Sequence, residues 1–562
     1  MSDFFQEAPV LNNQYQSDKL LKSYLKRLLP SDIIENIEKD LNNLGERVTT
    51  DILDMANDAE KNTPQLTQFD PWGNRIDKIV TSQGWKLLDQ VAAQEGMIAI
   101  GYERKYQEFS RIYQFAKLYL FNPSSALYTC PLAMTDGATK LIEIYGDEEL
   151  KNEAYQHLTS RDPEKFWTSG QWMTEKVGGS DVGQSETIAR LENGEYKLYG
   201  TKWFTSATTS QMAITLARIE DENGKTIDGS RGLSLFYIKL HDEKGNLNNI
   251  IIHRLKDKLG TKALPTAELT LNGTIAKLIG GEGGGVRKIS SLFNITRIYN
   301  ATSSIAFMRR GIYLAKDYAK RRNAFGKKLS EHPLHVETLA NLEVEFQAAF
   351  QTVFYTVSLL GKDELDKATE DEKVVLRLLT PLIKLYTAKQ SIKVASEVLE
   401  SFGGAGYIED TGLPKLLRDS QVLAIWEGTT NILSLDVLRA IDKEKAFIPF
   451  LKNIELRLEN ISLEQLKKSK DNVYDSLNKI KEFLPFAIKN GADFVEASAR
   501  DFAYSLFRVF AASLMLEHAQ WSFEYENDSL YIITANRWCN KQLAELKYPD
   551  DTYRQESNII LF

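Results

Sequence analysis

The sequence predicts an α+β protein that is mainly α. Helices occupy both ends, and a small antiparallel β domain lies between them. Three observations carry this reading. Apolar residues recur at the helical period before residue 168 and after residue 286. Between 169 and 285 the period falls to two, and Gly/Asn/Asp turns punctuate it. Strand and helix do not alternate along the chain, as a parallel dinucleotide-binding sheet requires.

The N-terminal helical domain is predicted over 1–168, on patterns such as LLKSYLKRLL and GWKLLDQVAAQEGMIAIGYE. YTCPLAMTDGATKLIEIYG breaks and restarts that pattern. Pro131 cannot continue a preceding helix, and Thr135 or Asp136 is suited to cap the next one. The middle β domain is predicted over 169–285. EYKLYGTKWFTS, QMAITLARIE, RGLSLFYIKL and TAELTLNG read as strands, separated by ENG, DENGKTIDGS and DEKGNLNN. GGEGGGVRKI lacks the Lys-Ser or Lys-Thr of a phosphate loop and reads as a turn between domains. Long helical patterns then fill 286–440, interrupted by SFGGAGYIEDTGLP, and a helical extension rich in Phe and Leu covers 441–562.

Composition removes several classes of function. At 562 residues the chain buries large cores without disulfides. Cys130 and Cys539 are too few for a disulfide framework and point to a reducing compartment. No HExxH or CxxC pattern occurs, so no protein-bound metal is expected. Net charge is -8, which argues against nucleic-acid binding. The extension carries 16 Lys/Arg against 19 Asp/Glu, so it offers no basic surface either. No apolar run reaches a membrane span. The start, with Asp3 and Glu7, resembles neither a secretory signal nor a transit peptide, and SNIILF is not a peroxisomal signal. The expected compartment is cytoplasmic, with a mitochondrial one left open.

In AIWEGTTNIL, Glu427 stands between Trp426 and Gly428. It reads either as an exposed helix end or as a desolvated general base. Trp426 and the apolar Ala424 and Ile425 would dry the carboxylate and raise its pKa toward the working pH. Strand alternation sets Trp203 and Thr205 of WFTS on one side, as core residues or as ligand contacts. QWMTEKVGGSDV combines glycines, which allow close backbone approach, with the hydroxyls of Thr174 and Ser180. RRNAFGKKL is basic at both ends, and guanidinium suits phosphate.

QWMTEKVGGSDV (171–182), TKWFTS (201–206), RRNAFGKKL (321–329), FGGAGY (402–407) and IWEGTTNIL (425–433) follow one another in this order around a β domain set between helices. In this the chain resembles the acyl-CoA dehydrogenase family of flavoenzymes, clearly over about 90–440. EAPVLNN, YTCPLAMTDGA, MTEKVGGSDV, WEGTTNI and the long extension make it most similar to the AidB branch. The resemblance implies a four-helix-type C-terminal domain, an FAD cofactor and a homotetramer. It also implies a redox partner, an electron-transfer flavoprotein or O2.

The resemblance further implies site roles. Gln171, Met173, Thr174, Gly179 and Ser180 would line the flavin, with Thr174 at the isoalloxazine edge and Ser180 at the pyrophosphate. Trp203 and Phe204 would pack near the ring, and Thr205 would bond near N5. Arg322 would reach a neighbouring subunit's pyrophosphate, Phe325 its adenosine, and Phe402, Gly403 and Gly404 the same nucleotide. Trp426, Gly428, Thr429 and Asn431 would hold the flavin beside the base, Glu427. The Glu427 N–H and a ribityl hydroxyl would polarise the thioester carbonyl. Arg297, Ser180 and Thr135 would contact substrate. The chain departs from the family at Pro333, Asn294 and Glu400, where Gln, an acid and Gln are usual. Glu400, an acid near a phosphate, must point away or find a cation.

The expected activity is removal of an α proton and a β hydride from a medium- to long-chain acyl-CoA, giving the trans-2-enoyl-CoA. The alternatives are an acyl-CoA sensor or stress flavoprotein with little turnover, and an acyl-CoA oxidase.

Overall fold

The structure, a computed structural model, describes residues 6–562. Met1 to Phe5, part of the start read for targeting signals, lie outside them. Two compact units are present. One holds Arg47–Lys105 and Leu120–Tyr299. The other holds the described part of Met1–Glu46 with Tyr106–Tyr119 and Asn300–Phe562.

The first unit is built on a sheet. A hairpin of β1 (Gln65–Phe69) and β2 (Arg75–Val80) precedes it. The main strands are β3 (Ser169–Trp172), β4 (Ile188–Glu192), β5 (Glu195–Ser206), β6 (Met212–Ile219), β7 (Leu233–Lys239), β8 (Ile250–Leu255) and β9 (Thr266–Ile279). β6 pairs β7, β7 pairs β9, β9 pairs β5, β5 pairs β4, and β4 returns to β6, so the pairing closes on itself. Closure leaves fewer free edges to associate wrongly. The four strands read from the sequence are all present. The pairing is more mixed than expected, because β3 and β4 each run parallel to β6.

The burial of β6 explains its unbroken apolar run. Met212, Ile214 and Leu216 join Leu141 and Ile142 of the Thr129–Tyr145 helix in one core. Ala213 and Ala217 point the other way, into a second core with Phe236, Leu269 and Trp172. A strand buried on both faces has no polar side to show.

Two expectations for the first 168 residues need correction. The β1–β2 hairpin sits in a region read as mostly helical; DPWGN makes its turn, where Asp70 Oδ1 accepts from the Trp72 and Asn74 N–H groups at 2.9 Å. Pro131, as expected, does not continue the preceding helix, which ends at Phe121. It is the third residue of Thr129–Tyr145, where no intrahelical N–H is needed. Thr135 and Asp136 are therefore mid-helix and buried, not caps. Asp136 accepts instead from the hydroxyls of Tyr102 (2.7 Å) and Tyr299 (2.8 Å).

Asp89, half-buried on the Gln83–Gln94 helix, accepts from the Tyr128 hydroxyl. Burial pushes its pKa up to about 6, against the lowering effect of that bond. A carboxyl raised in the folded state binds its proton more tightly there than in the unfolded chain. Its contribution is therefore full below the unfolded value and declines as pH rises toward 6. Asp89→Asn keeps an acceptor for Tyr128 and carries no charge. We expect it to match the parent near pH 4 and to exceed its stability above pH 6 by on the order of 1–2 kcal/mol, allowing for partial exposure. Urea unfolding at the two pH values checks this.

The second unit is helical. Its longest elements are Ser290–Arg321 (shared with the first unit up to Tyr299), Pro333–Asp363, Glu370–Ser401 and Ala492–Glu526. Thr369 and Glu372 form a reciprocal cap that starts Glu370–Ser401. Buried Arg111 binds Glu364 through two parallel bonds of 2.6 and 2.7 Å. The extension supplies Phe447–Glu459, Lys467–Lys489, Ala492–Glu526, Leu530–Cys539 and Asp551–Leu561. Phe450 stacks on Phe510, and Tyr386 on Phe507, so the extension shares an aromatic core with the preceding helices. No helix among the described residues is long and apolar enough to cross a membrane.

Candidate functional site

In the first unit the motif residues gather where β3 leaves the sheet. Glu175 is buried and accepts from Lys202 Nζ (2.7 Å), the Thr187 hydroxyl (2.6 Å) and the Glu186 N–H (2.6 Å). Burial would raise this carboxyl, but Lys202 and these donors hold it below the usual carboxylate range. Glu175 and Gly178 exchange both backbone bonds, which closes a tight turn. The Trp203 N–H donates to the Thr174 carbonyl at 2.9 Å, so this turn is stitched to β5. Beyond it Gly179 and Ser180 are exposed. A Cβ on Gly179 would come within 3.1 Å of the Thr174 side chain. Met173 is buried, Thr174 half-buried, and the buried Gln171 Oε1 has no hydrogen-bond partner.

The expected alternation along WFTS does not hold. The β5–β9 register slips between Lys202 and Thr205, so one extra residue occupies β5 there. Trp203 and Phe204 both meet the Lys256 ammonium, at 3.7 and 4.4 Å from the ring centres. Thr205 is wholly buried, and its hydroxyl donates to the Ala267 carbonyl at 2.8 Å. Thr135 is committed in a similar way. It donates to the Pro131 carbonyl (2.7 Å) and accepts from the Ser169 N–H (3.0 Å), so it positions β3 and offers no open hydroxyl. Arg297 is half-buried on Ser290–Arg321.

In the second unit Glu427 lies in the link between Leu413–Leu423 and Thr430–Lys443. It is half-buried and left-handed, with φ 58°, and Gly428 follows at φ 106°. An L-residue in this region is strained by about 1 kcal/mol or more, which marks a conformation the surroundings enforce. Part of that enforcement is Lys384. Its buried ammonium, on Glu370–Ser401, donates to the Gly428 carbonyl at 2.5 Å. Ala424 is buried as expected, but Ile425 is exposed and does not dry the carboxylate. Trp426 is half-buried, and Thr429 and Asn431 are exposed at the start of the next helix. The Thr429 hydroxyl makes no capping bond.

A Cβ at Gly428 would combine a forbidden φ with a 2.9 Å approach to Leu433. Gly428→Ala is expected to shift the Glu427 turn, lowering turnover by 10-fold or more while the fold survives. Steady-state kinetics beside thermal unfolding would separate the two effects.

The motifs expected to contact a nucleotide also lie in the second unit. Asn323–Ala324 (β10) and Lys327–Lys328 (β11) form a hairpin whose two turn residues, Phe325 and Gly326, have φ 52° and 82°. This is the hairpin turn that needs positive φ twice. Phe325 is held at its tip, 98% exposed. Arg321 is bound by Asp317 and Glu7, whereas Arg322 meets the neutral amide of Gln6 at 3.1 Å. Phe402 is buried against Tyr318, Gly403 ends the Glu370–Ser401 helix in the left-handed region, and open space surrounds Gly404. Glu400 is exposed.

Sequence reasoning missed Glu175, Lys202, Arg218 and Lys384. Arg218 is buried and donates to the carbonyls of Ser185, Ile227 and Gly229, fixing the loops around the Gly179 segment. The signal was a charged residue inside an apolar strand, as in TKW and LARIE.

Comparison with known proteins covers nearly the whole chain. Residues 6–165 match the adaptive response protein AidB N-terminal domain, and 170–274 the acyl-CoA dehydrogenase middle domain. Residues 283–441 match the acyl-CoA dehydrogenase C-terminal domain, and 445–560 an acyl-CoA dehydrogenase 11 C-terminal domain-like family. Acyl-CoA dehydrogenase family member 11 of Caenorhabditis elegans is 46% identical over 557 residues, covering 97% of this chain and 90% of that protein. AidB of Escherichia coli (strain K12) is 31% identical over 78% of this chain and 80% of its own length. The crystal structure of C. elegans ACDH-11 in complex with C11-CoA superposes with a TM-score of 0.96 at 44% identity, covering 100% of this chain and 97% of that one. An acyl-CoA dehydrogenase complexed with FAD from Bacillus anthracis shares the fold, with a TM-score of 0.75 at 18% identity over 98% of this chain and 93% of its own.

Proposed function

The chain belongs to the acyl-CoA dehydrogenase family, and we propose that it is an FAD-dependent dehydrogenase of medium- to long-chain acyl-CoA thioesters with Glu427 as its base. The observation that carries this is the Glu427–Gly428 turn, which holds the carboxylate residue in the left-handed region ahead of a positive-φ glycine and is pinned by a buried lysine. A helix end ordinarily gives its left-handed position to Gly or Asn, whereas here Glu427 holds one. The C11-CoA bound by the C. elegans relative supports the substrate class.

The residues present fit a flavin. The buried Gln171 Oε1 has no donor among the described residues, and the exposed Gly179 carries no side chain to keep a ligand from the main chain. Thr174 and Ser180 add hydroxyls. Bound FAD supplies the two-electron acceptor for the β hydride. Glu427 takes the α proton as the C–H bond electrons move toward the thioester carbonyl. Arg297 is the residue we assign to substrate on Ser290–Arg321. Arg322, Phe325 and Phe402 are assigned to the nucleotide of a neighbouring subunit in a homotetramer. Support comes from the exposed Phe325 and from an Arg322 not neutralised by an acid. An electron-transfer flavoprotein or O2 would take the electrons onward. Two buried free cysteines support a cytoplasmic setting.

Anaerobic titration with acyl-CoAs of increasing chain length tests the proposal. Bleaching of the oxidised-flavin band is expected. A spectral shift without bleaching at every chain length would replace the dehydrogenase with an acyl-CoA sensor.

A further inference from the structure

The last helix, Asp551–Leu561, buries no residue. Its final turn places Ile559, Ile560, Leu561 and Phe562 in water, at 79, 81, 72 and 103% exposure. Four consecutive exposed apolar residues are unusual on a soluble surface unless something covers them. Elsewhere in the extension an open groove of about 690 Å³ lies between Phe447–Glu459 and Lys467–Lys489. Leu451 and Leu484 form its buried floor. Ile448 and Ile488 stand on its lips, 68 and 63% exposed.

Charge matches the two surfaces. The groove carries Lys452, Lys481 and Lys489 against a single acid, Glu455, a balance of +2. Lys481 pairs with Glu455 and Lys452 with Asp371, while Lys489 has no acid partner among the described residues. The terminal helix carries Asp551 and Glu556 against Arg554, a balance of -1, and Arg554 is spent on Asp551. Glu556 is exposed and has no basic partner among the described residues. Within one chain the apolar tip and the groove do not meet, since both remain exposed.

We propose that the Ile559–Phe562 tip of one copy seats in the Leu451/Leu484 groove of a second copy, with Glu556 facing the lysine rim. A reciprocal exchange closes a two-fold pair and covers both apolar surfaces at once. The contact is separate from the nucleotide-side assembly assigned to Arg322 and Phe325 and does not rest on the catalytic reading.

The test uses two differently tagged full-length chains, co-expressed. One carries Leu561→Cys and the other Ile488→Cys. Cys130 and Cys539 are buried, so background cross-linking is low. Mild oxidation is expected to join the two tags in one disulfide-linked species. Ile560→Asp and Ile488→Glu, made separately, should each halve the mass measured by light scattering and leave the far-UV circular dichroism unchanged. Three results would overturn the proposal. One is the absence of any disulfide joining the two tags. Another is an unchanged mass for both charge variants. The third is tip-dependent binding to phosphatidylcholine vesicles without any interchain disulfide, which would make lipid the occupant.

Discussion

Glu427→Gln is expected to keep acyl-CoA binding and to slow anaerobic flavin reduction by about 10³-fold, within the usual range for removing a positioned general base. The substitution conserves shape and removes the carboxylate charge together with its ability to accept a proton. It also leaves the backbone demand unchanged, because Gln and Glu bear the left-handed φ of 58° equally. A failure to fold would therefore not be confused with a failure of chemistry. The contact from Lys384 to the Gly428 carbonyl persists in the variant, since it uses the main chain. Stopped-flow bleaching with the best acyl-CoA reads the result. A spectral shift on binding, seen without bleaching, would confirm that the ligand still enters. Bleaching at the parental rate would remove Glu427 as the base and move the search to another carboxylate.

Local patterns made much of the architecture legible. The β-domain strands announced themselves by period and turns, but the closed pairing and the parallel runs beside β6 did not. The motifs around Glu427, Phe325 and Phe402 were legible because each sits at a glycine that the backbone needs. What stayed hidden was set by distance along the chain. Lys384 reaches Gly428 across 44 positions, and Lys202 reaches Glu175 across 27. No local spacing announces such a pair. Thr135 and Asp136 were misplaced as caps because Pro131 lies inside the first turn of its helix, which starts ahead of the proline at Thr129. The Trp203/Thr205 pairing failed because a bulge, invisible in four letters, shifted the side-chain alternation.

Lys202→Met should produce the largest loss of stability, about 3–5 kcal/mol, because it leaves a buried carboxylate without its counter-charge. Both side chains are shut off from water, at 0 and 3% exposure. Burial pulls the Lys202 ammonium below its ordinary pKa, against the raising influence of Glu175. The ionised pair stands because Glu175 collects donors from the Glu186 N–H and Thr187 as well as Lys202, and Lys202 also donates to the Leu216 carbonyl. Removing the cation alone leaves those oxygens undersatisfied in the turn that carries Thr174 and Gly179, so flavin affinity should fall together with the unfolding midpoint. Replacing both partners, as Glu175→Gln with Lys202→Met, removes the stranded charge and should recover a large part of the loss. Urea unfolding of the two single variants and the double variant isolates the coupling between the pair. Losses that simply add in the double variant would show that the turn is held by packing rather than by this pair.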